Sequence, residues 1–510
     1  MASALIVIVA IVVILLTAWL FKQEKIRLHF DKLGGPASIP ILGNVHQLKS
    51  DSYGITKQLY GFFKEFGCKR AFRILIGNHP MVFVCCPEEA EKLLNTTKHL
   101  DKSSDYQFMQ PWIGTGLLVS TGNKWKSRRK LLTPTFHFKI LNDFVEVFNK
   151  HSGTLVTKLR KSADGITEIN IADDMTLCAL DIICETAMGR NVNAQMNSDS
   201  DYVKAVHTVS VLTLARVRSP WLWPDFVFNL SKTGKEYAKC LRVLHGFTEK
   251  VIKERQTDFE KEIVDGTTVE NLIERQNEEI DGKKKRLAFL DMLLCAKCDE
   301  KPLSFLDIRE EVDTFMFEGH DTTAMASNWA IHLIGADSEV QKRVHQELDL
   351  IFGGSDRETT MDDLKEMKYL ECCIKESLRL YPSVMLFGRS LTEDCTIADV
   401  CVPKGTTTLI VPAAMHMRDD LFPDPEKFNP DRFLPENCTK RHPYAFIPFS
   451  AGSRNCIGQR FAILEEKVIL SSVFREFFVR STQERDDLYP MMELILRPGN
   501  GIKVVLSPRC

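Results

Sequence analysis

Apolar residues along this chain fall into three regimes of spacing. Residues 2–21 form one nearly uncharged block of about twenty positions, roughly 30 Å as a helix and enough to cross a bilayer. Further on, apolar positions recur with helical period through 144–159, 175–188, 202–215, 237–255, 305–334 and 340–352, and again through 367–381 and 459–474. Short β-like pieces lie at 69–84 and around 384–410. The pattern predicts a mainly α body with small β-sheets, preceded by an N-terminal transmembrane helix.

A cleaved signal peptide is the rival reading of the first block. It lacks a basic n-region, exceeds a usual apolar core in length, and carries its charges, Lys22, Lys25 and Arg27, on the far side. Positive residues placed there predict a body that stays in the cytosol. Gly34, Gly35, Pro36, Pro40 and Gly43 then make 34–44 a stiff hinge. No repeat or Pro/Gly/Ser-rich linker divides 36–509. The expected organisation is an anchor at 1–21, a linker and proline-rich hinge at 22–44, and one large unit at 45–510. Asn95, Asn229 and Asn437 head N-x-S/T sequons and are expected to stay unmodified on a cytosolic face.

Charge narrows the function classes: 66 basic against 68 acidic residues give a nucleic-acid partner no electrostatic support. The 15 cysteines include adjacent pairs at Cys85 and Cys86 and at Cys372 and Cys373, which suit no ordinary disulfide framework and point to a reducing compartment. Cys295 and Cys298 have half the spacing of a zinc knuckle, but no second pair follows, and they fall in a helical pattern.

One cysteine stands apart. Cys456 lies in a glycine turn, Phe449 to Gly458, that opens the amphipathic stretch 459–474. Arg454 two residues upstream, turn N–H groups and the positive end of a helix each favour a thiolate, and so a metal ligand. The plainer alternative is a buried structural cysteine at a helix start. However, Phe449, Gly452, Arg454, Cys456 and Gly458, spaced by three, two, two and two, resemble the heme-binding signature of the cytochrome P-450 monooxygenases. That resemblance implies the cytochrome P-450 fold, a heme b cofactor (iron protoporphyrin IX), and Cys456 as axial thiolate to the iron. The hinge likewise resembles the one that follows the membrane anchor of microsomal members.

The longest helical pattern starts at Ser304 with Asp307 as a capping-box-like start, and carries Glu318, Gly319, His320, Asp321, Thr322 and Thr323 in its middle. A kinked helix with one wet polar stripe is the bland reading. The resemblance instead makes it the oxygen-binding helix, in which Thr322 and Asp321 deliver protons, Gly319 leaves space and His320 has no assigned chemistry. The string from Phe317 to Thr323 resembles family 4, the fatty-acid ω-hydroxylases, where the glutamate corresponding to Glu318 can become ester-linked to a heme methyl group; an unlinked, solvated glutamate is the alternative. Arg218 with the segment 220–226 resembles arthropod members of that family.

Glu376 and Arg379, three apart on a helical pattern, have Arg432 downstream at the spacing of the superfamily's buried triad. Trp125 and Arg129 match the heme-propionate motif, and Arg454 and Arg389 match further propionate partners. The remaining cations of the run, Lys124, Lys126, Arg128 and Lys130, read equally as a docking face for an acidic electron donor or as a solvated helix. Segments 106–119, 209–214, 384–387 and 490–492, with the residues of the oxygen-binding helix before Glu318, largely apolar and aromatic, are the expected substrate walls. Trp221 and Trp223 suit a loop dipped into the membrane, with core packing as the alternative.

The resemblance implies a monooxygenase of the endoplasmic reticulum membrane, its catalytic domain in the cytosol, hydroxylating a lipid-like substrate such as a fatty acid or terpenoid at the terminal carbon. Its electrons would come from NADPH-cytochrome P-450 reductase, with cytochrome b5 as a second donor. The alternative of a different class is a membrane-anchored heme-binding or sensor protein without turnover.

Overall fold

The computed structural model describes residues 2–67, 70–136, 138–197, 201–264, 289–298 and 301–509. Helix α1, Ala2–Phe30, is longer than the predicted anchor. Charges alone do not stop a helix. Glu24 and Arg27 pair three apart at 2.5 Å and Arg27 and Asp31 four apart at 3.0 Å, which supports the polar end until Gly34 turns the chain at a φ of 75°. Residues 3–16 of α1 are exposed, as a lipid-facing segment requires, whereas Phe30 and Leu33 are buried against the body.

The segment expected to be a linker and hinge is therefore pinned rather than free. Arg73 donates to Asp31 and to the Pro36 carbonyl, and Asn44 donates to the carbonyls of Pro36 (3.1 Å) and Ala37 (2.9 Å). Strands β1, Ala71–Ile76, and β2, His79–Val84, follow helix α2, Ser52–Phe66, and pair antiparallel with Phe72 opposite Phe83. Helix α3, Pro87–Leu94, comes next.

The body is helical: α4 (Gly122–Leu132), α5 (Phe138–Arg160), α6 (Ala172–Thr186), α7 (Asp201–Arg218), α8 (Lys232–Val264), α9 (Phe305–Ala336), α10 (Ser338–Phe352), α11 (Lys368–Leu380) and α12 (Gln459–Glu476). Each predicted helical period falls on one of these, with 175–188 running two residues past the end of α6 and 367–381 one residue past each end of α11. The central α9 is buried along most of its length and packs on α6, α11 and α12. Trp329 of α9 stacks on Tyr381 at 4.2 Å and donates from its indole to the Leu496 carbonyl (3.2 Å), closing the core toward the C-terminal strands.

The four-stranded sheet is completed by Thr407–Ile410, parallel to β2, and Phe387–Ser390 beside it. A three-stranded sheet joins Phe477–Ser481, Lys503–Pro508 and Glu168–Asn170, and a hairpin joins Pro490–Met492 to Leu496–Pro498. These short C-terminal strands have no clear period in the sequence. The pair Cys295 and Cys298 is not helical throughout: a short helix ends at Cys295, and Lys297–Cys298 pairs antiparallel with Lys301–Pro302, where proline cannot extend a helix.

Glu376 fixes α11 to the segment leading to the cysteine loop. It accepts from Arg379 Nε (2.7 Å) and Nη2 (2.8 Å), from Arg432 Nε (3.2 Å) and from the Asn429 amide (2.9 Å). The two guanidiniums reach onward to the carbonyls of His416, Lys427 and Asp424. The buried triad thus holds three stretches of chain in register.

Candidate functional site

A cavity of about 410 Å³ runs through the body, lined by the loop 448–458, the start of α12, the middle of α9, the ends of α4 and α7, α2, and the turn 492–496. Its lining is mainly hydrocarbon, within the size range of a small-molecule site.

Local bonds shape the loop that presents Cys456. The Cys456 amide donates to the Phe449 carbonyl (2.9 Å) and the Asn455 amide to the Gly452 carbonyl (3.1 Å). Gly452 sits at a φ of 70°, and a Cβ there would lie 2.0 Å from the Leu94 carbonyl oxygen, so the turn admits only glycine. From α4, Arg129 donates to the carbonyl (2.7 Å) and side-chain oxygen (2.8 Å) of Asn455 and so holds the loop from the side.

Burial, with the Glu318 carboxylate next, pushes the Cys456 thiol up to about 11, while the Gly458 N–H and the Arg129 guanidinium pull the other way. The expectation that Arg454 supports the sulfur is therefore corrected to Arg129. Arg454 instead donates to the carbonyls of Leu100 (2.7 Å), Leu117 (3.1 Å) and Leu118 (2.9 Å) and lies over the Trp125 ring at 4.9 Å. Its fork is captured by carbonyls that the irregular stretch 100–118 leaves unpaired. A bound metal would supply the charge that holds the sulfur as a thiolate.

Positive charge accumulates around this part of the cavity. Arg389 is fully buried and donates to the Gly388 carbonyl (3.1 Å). Lys102, which the sequence did not single out, lies with its ammonium over the Tyr106 ring at 4.6 Å. Burial, then Arg389 and Arg454, depress the Lys102 ammonium strongly, and Glu318 opposes them. Burial likewise pushes the Glu318 carboxyl up to about 7 against the pull of Lys102 and Arg454. Among the described residues Arg129, Arg389 and Arg454 form no ion pair and bond only neutral oxygens.

Three guanidiniums, those of Arg389 and Arg454 buried and that of Arg129 half-buried, and an ammonium, with the Glu318 carboxylate near them, fit a ligand that brings anionic groups of its own. A heme, with two propionates, answers that description. The described residues hold no cluster of three or more His, Cys, Asp or Glu able to bind a metal. A metal on Cys456 alone must then arrive with its remaining donors, as it does in a macrocycle. The residues present fit the group.

Helix α9 starts with the predicted capping box, Ser304 accepting from the Asp307 amide and Asp307 from the Ser304 amide. Thr322 lines the cavity, with its hydroxyl donating to the Glu318 carbonyl (2.6 Å) and its own carbonyl accepting from Ser383 (3.0 Å). In this rotamer the hydroxyl offers lone pairs to the cavity rather than its proton. Gly319 lines the cavity and lies close to α6, since a Cβ there would lie 2.6 Å from Ile183 Cδ1. Asp321 does not line the cavity. It is buried and accepts from Arg497 (2.6 Å), whose Nε lies 3.1 Å from Glu493, itself 3.0 Å from His207. His320 bonds the Met316 carbonyl at 2.5 Å.

The expected basic face is smaller than the sequence suggests. Arg128 is buried against Asp307 (2.5 Å) and near Glu311 (3.5 Å), and Lys124 pairs with Glu310 (2.7 Å), which leaves Lys126 and Lys130 exposed. The two indoles also part company. Trp221 is 62% exposed, with Phe226 at 71% and Leu230 at 75%, whereas the Trp223 ring packs inward on His79 and Phe108. Residues from each predicted substrate segment line the cavity, joined by Leu48, Ile55 and Leu59 from the N-terminal part, which no local pattern marks.

The sequence model of the cytochrome P450 family matches residues 33–506. The chain is 49% identical over 479 residues to "Cytochrome P450 4V2" of Homo sapiens, covering 92% of this chain and 88% of that protein. It is 46% identical over 506 residues to "Cytochrome P450 4c3" of Drosophila melanogaster, covering 98% and 93%. Over 504 residues it is 41% identical to "Cytochrome P450 4c21" of Blattella germanica, covering 98% of each.

Proposed function

Because the chain belongs to family 4 of the cytochrome P450 monooxygenases, we propose that it hydroxylates a lipid-like substrate, a fatty acid or a terpenoid, at its terminal carbon. Membership brings a heme cofactor, an external electron donor and a small-molecule substrate. We assign the electrons to NADPH-cytochrome P450 reductase, with cytochrome b5 as a second donor. The chemistry the heme supplies, when bound, is the reductive activation of dioxygen, which puts one oxygen atom into a C–H bond and the other into water.

In this reading Cys456 binds the iron as a thiolate, supported by Arg129 and the Gly458 N–H. Trp125, Arg129, Arg389 and Arg454 hold the propionates, and Lys102 adds a further cation. Thr322 hands on the proton after its hydroxyl turns from the Glu318 carbonyl toward the cavity. Asp321 feeds that step once it exchanges Arg497 for Thr322. Residues 1–21 cross the membrane of the endoplasmic reticulum, 22–44 join them to the body, and 45–510 form the catalytic domain in the cytosol. Trp221, Phe226 and Leu230 rest in the same interface.

The observation that carries the reading is Glu318, a carboxylate in an apolar cavity that Cys456 also faces. We assign it an ester bond to a heme methyl group, formed as a methyl C–H bond is broken in a two-electron oxidation whose oxidant is the dioxygen of the enzyme's own reaction, a tether that would stiffen the cofactor and narrow access to the chain end. Purified enzyme is expected to keep part of its heme through acid–solvent extraction, and Glu318→Ala is expected to release all of it. With reductase and NADPH, a panel of fatty acids and terpenoids is expected to give mainly terminal alcohols from the native enzyme and more internal alcohols from the variant. Freely extractable heme in the native enzyme removes the tether, and internal products alone remove the terminal preference.

A further inference from the structure

The last residue of α7, Arg218, lines the same cavity as Cys456 but belongs to a different neighbourhood. Its Nη2 donates to the Ser50 carbonyl (2.9 Å), whereas its Nη1 is buried without a hydrogen-bond partner. A buried guanidinium nitrogen with no acceptor is costly and marks a missing partner. Among the described residues Arg218 forms no ion pair. Asp51 is the acid whose charge it feels, and that carboxylate is engaged as the cap of α2, accepting from the Gly54 amide (2.7 Å). Lys102, Glu318, Arg389 and Arg454 act on one another's charge, and Arg218 does not figure among them.

The wall of the cavity is largely hydrocarbon, with Leu48, Ile55, Leu59, Val217, Leu386 and Met492 among the residues that line it. One cavity therefore holds an unpaired cation, the cysteine and many apolar side chains. Immediately after Arg218, the exposed Trp221, Phe226 and Leu230 put this end of α7 at the proposed membrane interface, the level where a lipid's polar head resides.

We propose that Arg218 binds the carboxylate head of a fatty-acid substrate and so directs its methyl end toward Cys456. The inference rests on the terminal-hydroxylation reading and adds the head-group chemistry. A carboxylate supplies the acceptor Nη1 lacks in the fork geometry a guanidinium prefers. A neutral ester of the same chain matches the apolar wall equally well but satisfies the cation poorly.

The test uses the full-length holoenzyme, with lauric acid and methyl laurate titrated by the change each induces in the heme spectrum. In Arg218→Gln the Kd for the acid is expected to rise about ten- to a hundredfold, and that for the ester to change less than about twofold. Arg218→Lys, which keeps the charge, is expected to recover most of the acid's affinity. With the acid, Arg218→Gln is also expected to shift oxidation inward from the terminal carbon. An unchanged acid Kd in Arg218→Gln, or equal weakening of acid and ester, overturns the clamp, because the ester reports the integrity of the cavity. Native enzyme that binds neither lipid overturns the fatty-acid substrate and the clamp with it, whereas internal alcohols alone from the fatty acid and terpenoid panel overturn the terminal-hydroxylation reading. Native enzyme that makes terminal alcohols equally well from acid and ester overturns the clamp alone.

Discussion

Glu376→Ala is expected to yield little folded enzyme, although the side chain touches neither the cavity nor Cys456. Its carboxylate is fully buried and takes four hydrogen bonds, from both Arg379 nitrogens, Arg432 and the Asn429 amide. Removing it leaves two guanidiniums in a dry interior with no counter-charge. Truncating one partner of a buried ion pair costs about 3–5 kcal/mol, a large share of the roughly 5–15 kcal/mol that holds a domain together. The loss is concentrated where α11, the His416 to Lys427 segment and Arg432 meet, upstream of the loop that presents Cys456. Thermal unfolding and heme content of the purified variant measure it. A variant that unfolds at the native temperature with full heme would show that the triad does not support the loop.

Cys456→Ala is expected to have the opposite profile, with a nearly native fold and product formation at background. The side chain faces the cavity, and the bonds that shape its loop come from backbone groups, including its own amide to Phe449, which alanine keeps. A substitution that removes no buried packing usually shifts stability by less than about 0.5 kcal/mol. What disappears is the thiolate, for which Arg129 and Gly458 offer no replacement donor to the iron. Circular dichroism and unfolding temperature should match the native chain while reductase-dependent turnover vanishes. Substantial turnover by Cys456→Ala would mean that another residue binds the iron.

The long helices were readable because each is amphipathic over several turns, and α9 was readable to its first residue because Ser304 and Asp307 write the cap locally. The end of α1 was not, since the charged run that follows its apolar block is also good helix, and the break comes at Gly34. The cysteine loop was legible as a motif, yet its electrostatics were not. Arg454 is near Cys456 in sequence but turned to Leu100, Leu117 and Leu118, while the cation beside the sulfur comes from Arg129.

A similar limit separated Asp321 from Thr322. Neighbours on a helix point about 100° apart, so Asp321 and Thr322 meet different surroundings. Thr322 took the cavity and Asp321 took Arg497, whose position follows from the register of a hairpin near the C-terminus. Lys102 and Arg218 were not legible as site residues: Lys102 rests on Tyr106 and carries no motif of its own, and Arg218, although it heads the segment 220–226, reaches Ser50, far away in sequence.

The central claim is that Cys456 gives this chain a thiolate-ligated heme. The most direct measurement is the ferrous–CO difference spectrum of the purified full-length chain. The account predicts the red-shifted Soret band of a thiolate-ligated heme. A folded chain that binds heme without that band, or that binds no heme, would contradict it.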